Sequence, residues 1–179
     1  MYSSSYDKKF YQTNTKEYIL YNKILLLSRN KLFYTKFGLA DTFQNRIHLI
    51  FLHVSFLFVK IKQNKQNQLF KIFNQKMFDL VFSQIEQNMR EIGYGDVLVN
   101  KNMKYLVKNF YNILLNCEKY NEKSMKFKEE FFLKYLEENK TRKHSINDFL
   151  IEYFKKYEAF CFDLSPDSVL SGDLNFSYK

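Results

Sequence analysis

The chain has 179 residues, which is enough for one domain that buries about 70% of the surface of its unfolded chain, and too few for two such cores. Four glycines and one proline cannot supply the many tight turns of an all-β fold, so the composition favours long helices. The formal net charge of +9 indicates an anionic partner, such as nucleic acid, a ribosome surface or acidic lipid headgroups.

The N-terminal part is predicted to hold a loose arm followed by the first helix. Residues 1–12 are rich in Ser, Tyr and Lys and show no periodicity, whereas residues 13–179 are expected to form one helical domain. Asn14, with Glu17 three positions later, has the spacing of a capping box. A first helix is therefore predicted to run from here to about Leu27.

The longest apolar segment is predicted to be the central helix of the domain. A short helix over residues 30–37 precedes it and is expected to end at Gly38, because helices commonly end in a left-handed glycine. Asp41 is the expected N-cap of the central helix, which covers Thr42 to Lys62. Its apolar stretch, Ile47 to Val59, is shorter than the roughly 20 residues that cross a bilayer, so a buried helix of a bundle is predicted.

The remaining chain is predicted to add helices and a short tail. Four amphipathic helices are expected over about residues 69–92, 100–121, 125–139 and 145–162. After Pro166 the tail is expected to make one turn and to pack Leu170 or Phe176 onto the bundle. The prediction is thus an all-α, single-domain helical bundle of about six to seven helices around a long apolar helix.

A basic line on the central helix is the first candidate for partner binding. Arg46, His53 and Lys60 are spaced seven apart, and such positions drift by only about 20° per step around a helix. Such a line could contact acidic or carbonyl groups of a partner. The alternative is structural, because charges near helix ends reach water and a single helical histidine is more often a hydrogen-bonded core residue.

The glycine loop between two predicted helices is a second candidate. Gly93 and Gly95, followed by Asp96 and Lys101, could form an anion-binding turn at a helix start. In the alternative interpretation the glycines reverse the chain and Asp96 caps the next helix. The loop lacks the further glycine and the GK[ST] ending of known phosphate-binding motifs.

The sequence contains no constellation typical of an enzyme, and no catalytic residue, metal or cofactor is predicted. None of the three histidines has a glutamate three residues before it, as a di-iron bundle requires. Cys117 and Cys161 form no CxxC pair and are expected to be packed thiols. A haem or quinone handling protein, with His48 or His53 as an axial ligand, stays open as an alternative.

Short motifs in a characteristic order resemble the ubiquinol-cytochrome c chaperone family, over roughly residues 17–120 and the C-terminal tail. These are Leu20-Tyr21, Ser28-Arg29, Phe33-Tyr34, Gly38, Asp41-Thr42-Phe43-Gln44, Leu52-His53-Val54, Leu57-Phe58-Val59-Lys60, Phe78-Asp79, Glu86, Arg90-Glu91, Gly93-Tyr94-Gly95-Asp96, Lys101, Lys104, Phe110-Tyr111 and Val169 to Phe176. Two departures stand out: Gln44-Asn45 replaces an aspartate-glycine pair of bacterial relatives, and Leu133-Lys134 replaces an arginine-asparagine pair.

The resemblance implies a chaperone that binds newly made cytochrome b for the assembly of respiratory complex III. A small helper subunit, the ribosome and an anionic membrane are further candidate partners, with no specific nucleic-acid sequence. The closer match to bacterial relatives implies a cytoplasmic protein at the periphery of the inner membrane, or the matrix side if the host is eukaryotic. A basic nucleic-acid or ribosome-binding module is the main alternative.

The candidate partner-binding residues come from the basic line, the resemblance and aromatic residues expected to line an apolar groove. They are Arg29, Phe33, Tyr34, Asp41, Arg46, His53, Phe56, Lys60, Arg90, Glu91, Gly93, Gly95, Asp96, Lys101 and Tyr111. The aromatic members have an equally simple alternative, because aromatic residues at helical spacing usually belong to the core.

Overall fold

The computed structural model describes residues 15–63, 68–139 and 147–178, and these residues form helices without any β-strand. The α-helices are α1 (Lys16–Ser28), α2 (Leu32–Thr35), α3 (Phe43–Lys62), α4 (Gln68–Glu91), α5 (Asp96–Cys117), α6 (Met125–Tyr135), α7 (Asn147–Asp163) and α8 (Pro166–Leu170), and a 3-10 helix covers Tyr120–Glu122. The predicted all-α fold is confirmed. The predicted arm at residues 1–12 and the predicted cap Asn14 lie outside the described residues.

The helix starts follow local capping chemistry, although two predicted caps are wrong. The side chain of Thr42, not Asp41, accepts the backbone N–H of Asn45 at 3.1 Å and begins α3. Asp41 instead binds a side chain of α3, as described below. α5 begins earlier than predicted, because Gly95 in an extended conformation is its N-cap and Asp96 is its first residue.

α3 is the central helix of the bundle and contacts α1, α4, α5 and α7. Fifteen of its 20 residues are buried, so neighbours surround it on nearly every side. A helix enclosed in this way must also bury its polar side chains, and burial favours a hydrogen-bond partner inside the protein. Asn45, His48 and His53 have such partners, whereas the Ser55 hydroxyl has none among the described residues. This preference decides the roles of the asparagine and histidines of α3.

Asn45 holds together two segments that are far apart in the sequence. Its side-chain amide donates to the carbonyl oxygens of Ala40 at 2.7 Å and Glu137 at 2.9 Å, and its carbonyl accepts the backbone N–H of Glu137 at 2.8 Å. An isolated antiparallel bridge joins Leu39 to Glu138 beside it. The Asn45 side chain, one of the departures from the bacterial pattern, therefore connects the segment before α3 to the segment after α6.

The C-terminal tail returns to the first helix after the short α8. Phe176 lies 5.1 Å from Tyr157 and 5.3 Å from Phe160 between ring centroids, and Leu170 and Phe176 both pack against the core, as predicted. Gly172 has φ of +75° and is buried against α1. A β-carbon placed on it would lie 3.0 Å from the Lys16 carbonyl oxygen.

Replacing Gly172 by alanine is expected to lower the free energy of unfolding by about 2 to 4 kcal/mol, because the change adds a steric contact to the cost of a left-handed residue. Gly93→Ala is the matched control, since Gly93 has φ of +96° but no atom within 4 Å of the added carbon. It is expected to cost only about 1 kcal/mol. Urea unfolding of both variants measures the difference, and equal losses would contradict close packing of the tail on α1.

Candidate functional site

A surface groove of about 200 Å³ lies between the C-terminal end of α1, the N-terminal half of α3 and the C-terminal end of α4. Its apolar lining consists of Leu25, Phe43, Ile47, Ile50, Ile85 and Ile92, and its polar lining of Ser28, Arg29, Arg46, Asn88 and Glu91. We call this the α1/α3/α4 groove. Three predicted site residues therefore come together: Arg29, which caps the end of α1, Arg46 of α3 and Glu91 of α4.

An ionic cluster borders the groove at the start of α3. Asp41 and Arg46 form a two-bond ion pair, with Nε to Oδ1 at 2.7 Å and the terminal guanidinium nitrogen to Oδ2 at 2.9 Å. The hydrogen bond from Arg46 lowers the pKa of Asp41 below its usual value. Tyr34 lies against the same guanidinium, and burial raises the pKa of its phenol. Tyr34 and Asp41 thus orient Arg46 at the rim.

Arg29 adds a second positive charge to this rim. It is exposed and makes no ion pair among the described residues, in contrast to Arg46. Burial raises the pKa of the Tyr21 and Tyr34 phenols, and the positive charge of Arg29 opposes this shift at both. An apolar floor with two guanidinium groups at its edge can hold an aliphatic or aromatic segment that ends in acceptor groups.

The α4–α5 corner lies next to the groove and is held by ion pairs. Arg90 contacts Glu86 at 2.8 Å and also binds Asp96. The predicted capping role of Asp96 is wrong, because Gly95 is the N-cap and has no side chain to donate or accept. Since Asp96 already supplies a negative charge to the first turn of α5, the structure gives no support to an anion site in this loop.

The basic line on α3 does not exist as a surface feature. His53 is completely buried; its Nδ1 lies 2.6 Å from the Leu49 carbonyl oxygen and its Nε2 lies 2.8 Å from the Tyr153 hydroxyl. A carbonyl can only accept, so Nδ1 donates and Nε2 accepts from Tyr153. Lys60 is half-buried and donates to the Phe162 carbonyl oxygen. The helical spacing is as predicted, but α3 is enclosed by other helices.

Two predicted groove aromatics are also core residues. Phe33 and Phe56 are fully buried, Phe33 against Tyr153 at 4.9 Å and Phe56 against Tyr120 at 5.3 Å between ring centroids. Their expected role in lining a surface groove is therefore wrong. Aromatic side chains supply most of the volume in this core, so the structural alternative applies to both.

Lys101 and Tyr111 lie on the outer surface of α5, away from the groove lining. The groove also contains eight residues that were not among the candidate site residues, namely Leu25, Ser28, Phe43, Ile47, Ile50, Ile85, Asn88 and Ile92. Ile50 and Ile85 follow the apolar stripes of their helices, and no sequence signal separates them from core positions. Ile92 was expected within the amphipathic helix of residues 69–92, whereas α4 ends at Glu91 and leaves Ile92 exposed at the edge of the groove.

Both histidines of α3 use both ring nitrogens for hydrogen bonds. His48 Nδ1 contacts the Tyr135 carbonyl oxygen, and its Nε2 lies 3.0 Å from the Gln44 amide and 3.2 Å from the Asn109 amide. Burial lowers the pKa of His48 and that of His53, the latter to about 4. Neither ring has a nitrogen free to bind haem iron, so the haem alternative gains no support from these residues.

A larger pocket of about 580 Å³ lies at the opposite end of α3. Most of its charges are paired, Lys62 with Glu118 and Lys119 with Glu122. Glu158, which also lines it, is buried with one carboxyl oxygen that lacks a hydrogen bond, and burial raises the pKa of this carboxyl to about 7. No predicted site residue lies in this pocket.

Residues 15–63, 68–139 and 147–178 contain neither a metal-binding cluster nor a membrane-spanning helix. Within these ranges no three His, Cys, Asp or Glu side chains are grouped to hold a metal ion. Within the same ranges no helix combines the length and the apolar character that a membrane span requires. Cys117 and Cys161 are buried free thiols, and burial raises the pKa of each.

Comparison with known proteins identifies the family. A search of curated proteins finds no match. Among solved structures, the crystal structure of the Cbp3 homolog from Brucella abortus has a similar fold, with a TM-score of 0.76 and 21% identity over 91% of this chain and 89% of that chain. The profile of the ubiquinol-cytochrome C chaperone family matches residues 35–176, which include α3 to α8 and most of the groove. The resemblance in the sequence is thereby confirmed: the chain belongs to the ubiquinol-cytochrome c chaperone family.

Proposed function

We propose that this protein is an assembly chaperone that binds newly made cytochrome b and delivers it to respiratory complex III. Membership of a family of ubiquinol-cytochrome c chaperones supports a role in the assembly of this complex, carried out by binding and not by catalysis. We further propose that it works at the surface of the inner membrane, on the cytoplasmic side in a bacterium or the matrix side in a mitochondrion.

The observation that carries the proposal is the α1/α3/α4 groove. It combines an apolar floor with two guanidinium groups, and Ile92 at its edge is 56% exposed. A membrane protein that is not yet inserted or assembled exposes apolar side chains, and each one fully buried in a complex contributes about 1.5 to 3 kcal/mol. The groove therefore offers the shelter that such a client needs.

The charges at the rim suit the end of a client helix. The last carbonyl groups of a helix have no partner within the helix and carry partial negative charge. Arg29 and Arg46 together present two guanidinium groups that can donate to such carbonyls or to a nearby carboxylate. Because Arg46 is already oriented by Asp41, little additional ordering of its side chain is required on binding. A helper subunit and the ribosome stay predictions, as no described contact identifies a surface for them.

Site-specific photo-crosslinking tests the groove as the client site. A photoreactive residue is placed at Glu91 or Ile92, on the groove, and in control variants at Leu133 or Lys155, which are exposed on α6 and α7. In cells that synthesise cytochrome b, the groove positions are expected to capture this subunit at least tenfold more than the controls. Absence of cytochrome b from all four products would overturn the proposed function, and equal capture would reject the groove.

A further inference from the structure

The outward-facing side of α5 is both apolar and basic. Five large apolar or aromatic side chains are exposed there, from 45% for Leu98 to 85% for Val97, and three exposed lysines lie among them. The set, which we call the α5 outer face, is Val97, Leu98, Lys101, Lys104, Tyr105, Lys108, Tyr111 and Leu115. At 3.6 residues per turn these positions fall within an arc of about 140° and therefore share one side of the helix.

The opposite side of α5 accounts for its packing in the bundle. Val99, Leu106, Phe110 and Ile113 are buried there, and α5 contacts α3 and α4. Tyr111 also touches the rings of Phe78 and Phe110, but the exposed aliphatic residues are not part of this packing. A row of this size that water surrounds is unusual for a monomer surface and indicates an interaction site.

The positive charge of the α5 outer face is not neutralised within the described part of the chain. Lys101, Lys104 and Lys108 make no ion pair there, and Asp96, the one acidic residue of α5, binds Arg90. The face thus carries three uncompensated positive charges beside its apolar side chains. Its natural complement is a surface that is anionic and also accepts aliphatic groups.

We propose that the α5 outer face binds the surface of an anionic lipid bilayer, with its apolar side chains in the interfacial region and its lysines against phosphate headgroups. Helix faces that insert only into the headgroup region combine these two residue classes. The tyrosines suit the same depth, because each has an apolar ring and a polar hydroxyl. The biological reason for this contact rests on the proposed function, since a chaperone for a membrane subunit works beside a bilayer.

A nucleic-acid surface is the competing occupant, because lysines interleaved with tyrosines also suit phosphates and bases. The aliphatic members favour lipid. Val97, Leu98 and Leu115 lie towards the two ends of the face, where they gain little from bases or phosphates but lose contact with water in a bilayer interface. The most exposed member, Val97, has no side-chain group that can form a hydrogen bond with a phosphate or a base.

The connection between α4 and α5 relates this face to the groove. Ile92 lines the groove, and the loop Gly93–Gly95 leads from it into the start of α5. The edge of the groove at the end of α4 therefore lies beside the first residues of the α5 outer face. A bilayer bound to this face would be adjacent to the site that is proposed to receive the client.

Vesicle flotation tests the inference with purified protein. Vesicles of phosphatidylcholine alone are compared with vesicles that also contain phosphatidylglycerol, at low and high salt. The lysine variant is Lys101→Gln/Lys104→Gln/Lys108→Gln, and the apolar variant is Val97→Gln/Leu98→Gln/Leu115→Gln. The matched control, Lys126→Gln/Lys134→Gln/Lys155→Gln, removes the same charge from exposed positions on α6 and α7.

The wild type and the control are expected to float with anionic vesicles and not with neutral ones. The lysine variant should bind anionic vesicles at least tenfold less, and the apolar variant several-fold less, with helix content unchanged. Failure of the wild type to float, or full binding by either α5 variant, would overturn the proposal. Tight RNA binding that the lysine variant loses, without flotation, would assign the face to nucleic acid.

The two proposals can fail separately. The crosslinking experiment measures capture of cytochrome b in cells, whereas the flotation experiment uses only purified protein and vesicles. If the groove captures cytochrome b but the protein does not float, the lipid inference fails and the function stands. If the protein floats but captures no cytochrome b, the proposed function fails and the lipid inference stands.

Discussion

Replacing His53 by alanine is expected to lower the free energy of unfolding by about 3 to 5 kcal/mol, a large part of the stability of a domain of this size. The imidazole packs between aromatic rings, with Tyr157 at 4.7 Å and Phe154 at 5.3 Å between centroids. Its loss leaves a cavity and removes the acceptor of the buried Tyr153 hydroxyl. The resulting unpaired polar group adds to the cost of the cavity.

A double-variant cycle separates these two effects in urea or guanidinium unfolding. Tyr153→Phe removes the hydroxyl and is expected to cost about 1 to 2 kcal/mol. In the double variant His53→Ala/Tyr153→Phe no hydroxyl is left unpaired, so its loss should be smaller than the sum of the two single losses. Strict additivity would contradict the hydrogen bond between these side chains.

The burial of His53 is also expected to affect how the free energy of unfolding depends on pH. Burial lowers the pKa of His53 from 6.5 to about 4, so below about pH 6.5 the unfolded chain binds a proton that the folded protein does not. The unfolding free energy contributed by this group therefore falls by about 3 kcal/mol between pH 6.5 and pH 4. His53→Ala should lose this component. Comparison with wild type at each pH is needed because the raised pKa of Glu158 acts in the opposite direction.

The helices could be predicted from the sequence because each has a strong local signal. A nearly uninterrupted apolar run defines α3, and Gly93, with positive φ, follows the end of α4. The residue that caps each helix could not be predicted in the same way, for a physical reason. Asp41 and Thr42 are adjacent and both are good capping residues; in the structure the Asp41 carboxylate pairs with Arg46 of the same helix, and the Thr42 hydroxyl caps α3.

The candidate site was predictable only in part. Arg29 and Glu91 came from the family resemblance and Arg46 from the basic line, and the three meet in the groove although they belong to different regions of the sequence. The burial of His53 was not predicted. A seven-residue spacing shows which residues share a side of a helix, but not how many other helices cover that side. Local periodicity contains no information about the neighbours of α3.

Substitution of groove residues is expected to have the second large effect, on the assembly of complex III in cells. The groove variant Arg29→Ala/Arg46→Ala/Ile92→Ala removes two rim charges and an exposed aliphatic side chain, and each such loss at a binding hot spot costs about 1 kcal/mol or more. Together they are expected to weaken client binding by about a hundredfold or more. Control variant Lys126→Ala/Lys155→Ala/Leu133→Ala removes the same residue classes from exposed positions elsewhere.

In a strain that lacks the chromosomal gene, the control is expected to restore complex III fully and the groove variant to restore little of it. Both proteins should retain the wild-type unfolding midpoint within a few degrees, since the substituted residues are exposed. Full restoration by a groove variant that is produced at normal levels would show that the client binds another surface.

The most direct measurement is the reduced-minus-oxidised haem spectrum of membranes from the deletion strain, together with ubiquinol-cytochrome c reductase activity. A chaperone for cytochrome b predicts that the b-type haem signal of complex III and this activity are both lost, and that the wild-type gene restores them. Normal cytochrome b and normal complex III in the absence of the protein would contradict the proposed role in assembly.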